Sequence, residues 1–403
     1  MSSYTTKKTS SWFERLGKSF IGIVVGLVLL VGATALLWWN EGNFVKTQAA
    51  LNEAQSVTQE LGDISKVDGS LDGRLVHASG LAETEDVLED PLFGVSINAI
   101  RLERSAEYYQ WVENKETEKR QKLGGGEEEM TTYTYAKKWV RTQEDSDSFA
   151  DPRARMEHHN TVIYPLENFF TVQSQNVTFG AYHLPKFLID EIRNSEPLSL
   201  ELSEETTLKL NERLSESQPD SAESQRVHTE GNTVYLGLSP ISPNIGDVRV
   251  TFKQALPCTV SLIAKLNGNT FENYVAKNGK TVGLLSVGTH SAENMYESAH
   301  AANVLLVWIL RVVGIILVCI SLCLIAAPLS VFASVVPFLG KLVGAGTGMV
   351  CVLLGLAWSL LVIALAWLFY RPLIGIVLLV AAVALVLLLY KRGRSTVETF
   401  AGK

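Results

Sequence analysis

The stretch FIGIVVGLVLLVGATALLWW, from Phe20 to Trp39, holds no charged residue over 20 positions. At ~1.5 Å per residue it makes about 30 Å of helix, the thickness of a bilayer's hydrocarbon core. A cleaved leader would have a shorter apolar region ending in small residues. This one ends in Trp38, Trp39 and Asn40, and therefore reads as a retained signal anchor.

Working outward, the far end of the chain repeats the pattern. Val304 to Ala327 is apolar except for Arg311. The run from Met349 to Tyr390 is broken by Arg371 and Pro372, and as one helix it would be ~63 Å long, about twice what a bilayer needs. It must fold back, which gives spans at 349–369 and 372–390. Residues 328–348, with Pro328 and Pro337, are too few to cross and return, so an interfacial or re-entrant segment on the cytoplasmic side is expected there. The expected fold class is a multi-pass α-helical membrane protein. It has four transmembrane helices, one N-terminal (20–39) and three C-terminal (304–327, 349–369, 372–390), with a large β-rich α+β domain between them.

Charge orients these spans. Lys7, Lys8, Arg15 and Lys18 precede the first, Lys341 lies between the second and third, and Lys391, Arg392 and Arg394 follow the fourth. An even number of spans puts all eight on one face, so the positive-inside rule makes the tails 1–19 and 391–403 cytoplasmic. Trp38, Trp39, Trp308, Trp367 and Tyr370, with Arg311 and Arg371, then mark the opposite boundary as interfacial anchors. Residues 40–303 become a periplasmic or lumenal domain with 40 acidic and 24 basic side chains, net −16, against +9 for the two ends. An acidic domain of this kind excludes a nucleic-acid partner held by phosphate neutralisation.

Inside that domain, Phe44 to Leu61 has helical spacing and strand patterns follow. Ile97 to Glu113 and Tyr133 to Arg141 flank KLGGGEEEM and predict a long hairpin. Further strands are expected at 74–79, 226–238, 247–254, 259–266 and 271–275, with helices at 185–193 and 198–214. INAIRLERSAEYYQWVENK and VRVTFKQALPCTVSLIAKLNG are similar enough in pattern to raise an internal duplication. Cys258 is the domain's single cysteine, so no disulfide can form within it.

Chemistry is sparse. Gly124-Gly125-Gly126 lacks the Lys-Ser/Thr of a phosphate loop and precedes three glutamates, so it reads as a hairpin tip. Ser286 and His290 sit near a glycine-flanked turn, but the spacing is one residue too long for a nucleophile elbow. The adjacent His158 and His159 point to different faces, and no zinc spacing occurs. The acidic run through Glu83, Glu85, Asp86, Glu89 and Asp90 reads as a solvated face. Asn176-Val177-Thr178 is a glycosylation sequon, a triplet common enough by chance to decide nothing alone. No catalytic residue, cofactor or metal is expected. Arg311, the one ionisable residue within the spans, is expected to snorkel to the outer interface. Gly22 and Gly26, and Gly344 and Gly348, are the candidate helix-packing positions, which points to homo-oligomerisation in the lipid bilayer.

Several longer segments carry a resemblance. WNEG at 39–42, FG at 93–94 with EYYQWVE at 107–113, SPISPNIGDVRVTF at 239–252, FENYVAKNGKTVGLLSVGTHSAENM at 271–295, VWILRVVG at 307–314 and WLFYRPL at 367–373 resemble the transmembrane protein 43 (LUMA) family in the same order. The resemblance implies a scaffold of the endoplasmic reticulum and inner nuclear membrane that self-associates and, in animals, interacts with lamins and emerin. It implies no catalytic residue. Related bacterial proteins exist, and the divergent outer domain favours a bacterial inner membrane over the endoplasmic reticulum or inner nuclear membrane. The expected function is a non-enzymatic integral membrane scaffold that organises membrane or periplasmic/lumenal proteins through its outer domain. An oligomeric channel or lipid-handling protein is the alternative.

Overall fold

The computed structural model describes residues 3–217 and 226–371. The chain divides into a β-rich unit, formed mainly by 53–118 and 130–296, and a helical unit, formed by 8–52, 119–129 and the chain from Glu297 onward. Helices α1 (Trp12–Val57), α2 (Glu204–Ser217), α3 (Ala292–Ala333) and α4 (Pro337–Tyr370) are the longer ones. Among the described residues, α1, α3 and α4 are long and apolar enough to cross a membrane. The expected fourth span, 372–390, and the tail 391–403 lie outside the described residues.

Helix α1 joins the first span and the following polar helix into one rod of 46 residues, because nothing between Asn40 and Phe44 breaks helical backbone. It ends where the Thr58 hydroxyl turns back onto the Ala54 carbonyl at 2.8 Å. The segment 328–348 differs from expectation. Helix α3 continues through Pro328 to Ala333, three residues turn, and Pro337 opens α4 in the first-turn position where its missing N–H costs nothing. The result is a tight helical hairpin in place of a separate interfacial segment.

Within the helical unit, Ala33 and Leu37 of α1, Val318 of α3 and Val362 of α4 form a buried core. Close approach is concentrated at particular glycines. A Cβ on Gly26 would lie 2.8 Å from the Ser321 carbonyl oxygen, and one on Gly314 would lie 2.5 Å from Leu37 Cδ2. Gly355 meets Cys319 in the same way. Gly22 and Gly344 have only ordinary contacts, and nothing lies within 4 Å of a Cβ on Gly348. Gly26→Leu is therefore expected to lower stability by about 1–3 kcal/mol, the usual cost of overpacking. Thermal unfolding in detergent, with Gly348→Leu as the near-neutral control, checks this.

The β-rich unit contains strands β1 (Ser3–Ser10), β2 (Leu75–Thr84), β3 (Arg101–Gln121), β4 (Glu127–Val140), β5 (Val227–Glu230), β6 (Thr233–Leu236), β7 (Val248–Ala255), β8 (Cys258–Asn267) and β9 (Leu284–Val287). One sheet has the order β1-β4-β3-β7-β6-β5. Alternation along β3 buries Leu102, Ala106 and Tyr108, which pack with Val248, Val250 and Phe252 of β7 and with Leu210 and Leu214 of α2. The second sheet is built on β8, which pairs antiparallel with β2 on one side and β9 on the other. Val260 to Ala264 are buried without a break, as a central strand covered on both faces requires.

Three expectations change here. Residues 226–238 are a hairpin and not one strand, because Gly231 takes a left-handed φ of 58° and reverses the chain between β5 and β6. The helix expected over 198–214 begins only at Glu204, where the Ser203 hydroxyl accepts the Thr206 N–H at 3.1 Å. The proposed duplication does not hold. The first copy breaks at Ala99-Ile100, just after its start, and runs on in β3, whereas the second follows β7 to its end before it breaks at Leu256-Pro257 and enters β8 of another sheet.

The long hairpin is present, with its turn at the triple glycine, where Gly124 and Gly125 have φ of 85° and 79°. Its tip, 119–129, groups with the helical unit. Gly124 N–H donates to the Val335 carbonyl at 3.0 Å, and Arg15 pairs with Glu127 at 3.4 Å and donates to the Gly125 carbonyl.

Candidate functional site

The last buried turn of the α1 membrane stretch brings polar groups inside the helical unit. Ala33, Leu37 and Glu41 follow one another at intervals of four, on one helix face, and all three are buried. On α3, Val307, Arg311, Gly314 and Val318 form the facing stripe. The two stripes meet as a carboxylate and a guanidinium. Arg311 Nε donates to Glu41 Oε1 at 2.6 Å, and Arg311 Nη2 donates to Oε2 at 2.7 Å. Trp367 of α4 donates its indole N–H to Oε2 at 2.7 Å, so three helices converge on one carboxylate.

Aromatic rings enclose the cation. The Arg311 guanidinium carbon lies 4.8 Å from the Trp308 ring centroid and 5.7 Å from that of Trp367. Gly42 gives the Tyr370 ring room, since a Cβ there would fall 2.5 Å from it. Trp38 packs on Phe369 and Tyr370 at 5.7 and 6.0 Å, and Arg371 lies 5.1 Å from the Phe44 ring. Asn40 donates to the Val307 carbonyl at 3.0 Å and Asn303 to the Phe44 carbonyl at 3.2 Å. An ion pair in an apolar bundle persists only when both partners are matched and hydrogen-bonded, and here the fork is filled on both sides.

This corrects the reading of Arg311. It does not snorkel outward; it is buried and spent on Glu41, a residue that the charge count had assigned to the outer domain. The other expected anchors divide. Trp39 and Trp308 are 57% and 58% exposed, the latter still covering Arg311 with its ring, whereas Trp38, Trp367, Tyr370 and Arg371 pack against neighbouring helices.

Elsewhere, the other motifs resolve into structure. The His290 ring bonds to the Val287 carbonyl at 3.0 Å rather than to Ser286, which pairs across β9 and β8 with Ser261. His158 stacks with Trp111 and Tyr135, and His159 points to Ser146. Among the described residues no group of three or more His, Cys, Asp or Glu side chains is placed to hold a metal. The acidic run is only partly solvated, because Asp90 is buried in a 2.6 Å pair with Arg104. Across the outer face of the first sheet, Glu107, Arg249, Tyr235 and His228 form a cross-strand row. A groove of about 630 Å³ opens beside it, with Arg249 4.6 Å over Trp139.

Tyr135 offers a pH test of its surroundings. Its hydroxyl donates to Glu113 at 2.7 Å, and burial together with that carboxylate pushes the phenol up to about 12. A raised value means that the neutral form is the one favoured by folding. The contribution is therefore full below about pH 10, the unfolded value, and is lost as pH rises through about 12. Ultraviolet titration of wild type against Tyr135→Phe should show one tyrosinate appearing late, near the alkaline unfolding transition.

The family model described as Transmembrane protein 43 matches residues 108–372, about two thirds of the chain. The chain belongs to the transmembrane protein 43 family. It is similar to the rat transmembrane protein 43, at 31% identity over 379 residues, with 92% of this chain and 89% of the relative covered. Mouse transmembrane protein 43 is 30% identical over 400 residues, covering 97% and 94%, and a Drosophila homolog is 28% identical over 368 residues, covering 88% and 90%. No solved structure matches the chain. The family match contains Arg311 and Trp367, while Glu41 precedes it.

Proposed function

We propose that this transmembrane protein 43 family member is a non-enzymatic membrane scaffold. It self-associates through its helices and presents the β-rich unit, apart from β1 and the far half of the β3–β4 hairpin that meets it, on the side opposite two cytoplasmic termini, where it binds other membrane or lumenal proteins. The observation that carries this reading is the closed Glu41–Arg311–Trp367 cluster, in which the buried carboxylate and guanidinium of the helical unit are spent on one another. An ion-coupled carrier needs ionisable groups at mid-depth that can change partners, and this pair has its hydrogen bonds filled by three helices. Relatives in rat, mouse and fly favour a eukaryotic membrane over the bacterial inner membrane expected from the sequence.

Cross-linking in native membranes tests the proposal. Species above the monomer, with co-purifying membrane or lumenal proteins, are expected; monomer alone with nothing bound would count against it. A lipid-handling role has one observation in its favour, an apolar groove of about 550 Å³ between α3 and α4 that includes Ile316, Ile320, Val352 and Leu356. Lipid transfer between liposomes that disappears in Ile320→Trp would support that second reading.

A further inference from the structure

The sequon Asn176-Val177-Thr178 is left unused by the scaffold reading, and its local geometry suits modification. Asn176 is exposed in the turn between strands Phe169–Gln173 and Val177–Phe179, while Val177 is buried and anchors the turn. Asp86 holds the turn in one conformation. Its Oδ2 accepts from the Ser174 hydroxyl at 2.7 Å and from the backbone N–H groups of Gln175 and Asn176, both at 2.9 Å. Its Oδ1 accepts from Asn176 Nδ2 at 3.0 Å. These donors hold the Asp86 carboxyl well below the usual carboxylate range, so the turn stays gripped at any physiological pH.

We propose that Asn176 carries an N-linked oligosaccharide, a reading that rests on the lumenal placement of the β-rich unit. The chemistry needs a lipid-diphosphate-linked oligosaccharide and a membrane transferase. A bond forms between the sugar's anomeric carbon and Asn176 Nδ2, the bond from that carbon to the diphosphate oxygen breaks, and the lipid diphosphate leaves. One Nδ2 proton passes to the transferase's base. The amide keeps its second N–H, which is all that the single bond to Asp86 Oδ1 requires. The glycan therefore adds to an exposed, fixed amide without breaking the turn, and it would stand beside the acidic run at Glu83 and Glu85.

The full chain translated with endoplasmic reticulum microsomes, with gel mobility read before and after peptide N-glycosidase, tests this. Wild type is expected to run one glycan slower and to collapse after treatment. Asn176→Gln and Thr178→Ala, the second of which leaves Asn176 and its bonds in place, are expected to run unshifted. A control, Asn176→Gln with Lys280→Thr, builds a sequon at the exposed Asn278 turn of the same unit. If the control shifts while wild type does not, the β-rich unit is lumenal and Asn176 is unused, which overturns the proposal. If none of the variants shifts, the lumenal placement fails and the proposal fails with it.

Discussion

Glu41→Ala is expected to destabilise the helical unit by about 3–5 kcal/mol, the cost of leaving one partner of a buried ion pair uncompensated. Arg311 would keep its charge, because a guanidinium does not deprotonate in a protein. It would face the Trp308 and Trp367 rings with its two carboxylate bonds gone. The Trp367 indole N–H would lose its acceptor as well. Both partners removed together should cost far less, since apolar groups of similar volume fill the same space without an unpaired charge. Unfolding in detergent checks both expectations, with Glu41→Leu/Arg311→Met recovering most of the loss. A Glu41→Ala variant within about 1 kcal/mol of wild type would mean that Arg311 finds water without its partner.

A similar effect is expected in the β-rich unit from Asp90→Ala. Asp90 and Arg104 meet at 2.6 Å with both side chains buried, and Asp90 also accepts the Leu92 N–H at 3.0 Å. The guanidinium lies 4.7 Å from the Phe170 ring and 5.5 Å from Phe93, and its Nε has no hydrogen-bond partner. Without Asp90 the cation sits in an aromatic core, and a loss of about 3–5 kcal/mol follows. Hydrogen exchange should report faster opening of β3, which carries Arg104, and of β7, whose Phe252 is paired opposite it. Exchange unchanged in those strands would show that the charge is solvated and the pair dispensable.

What the sequence revealed and what it hid follow from the range of the interactions. The apolar stretches of α1, α3 and α4 were legible because span length is a local property, and so was the β3–β4 hairpin, where two strand patterns flank three glycines. The helix start at Glu204 was missed because Leu198 and Leu200 belong to irregular chain beside β7, a tertiary contact that no local pattern carries. The β5–β6 reversal was readable from Gly231-Asn232 but lay inside an otherwise continuous strand pattern.

The Glu41–Arg311 pair joins residues 270 positions apart, so neither end announces the other. Its signal was helical phase. Glu41 continues the stripe of Ala33 and Leu37, which a count of charges by segment ignores. Asp90 gave a comparable signal of period two, because Leu88 and Asp90 share the buried face of their strand while Val87 and Glu89 are exposed. Asp90 was hidden among Glu83, Glu85 and Glu89, which do face water.

The central proposal is that α1 crosses a membrane, with the β5–β7 part of the β-rich unit beyond its far end. Cysteine accessibility in sealed vesicles tests this most directly, in a chain whose four native cysteines are replaced by alanine. Phe13, in the first turn of α1, is 78% exposed, and Ile241, in a loop of the β-rich unit, is 97% exposed. The account predicts that an impermeant maleimide labels Phe13→Cys from the cytoplasmic side of intact vesicles and reaches Ile241→Cys only after the membrane is opened. Labelling of both positions from the same side of an intact membrane would contradict it.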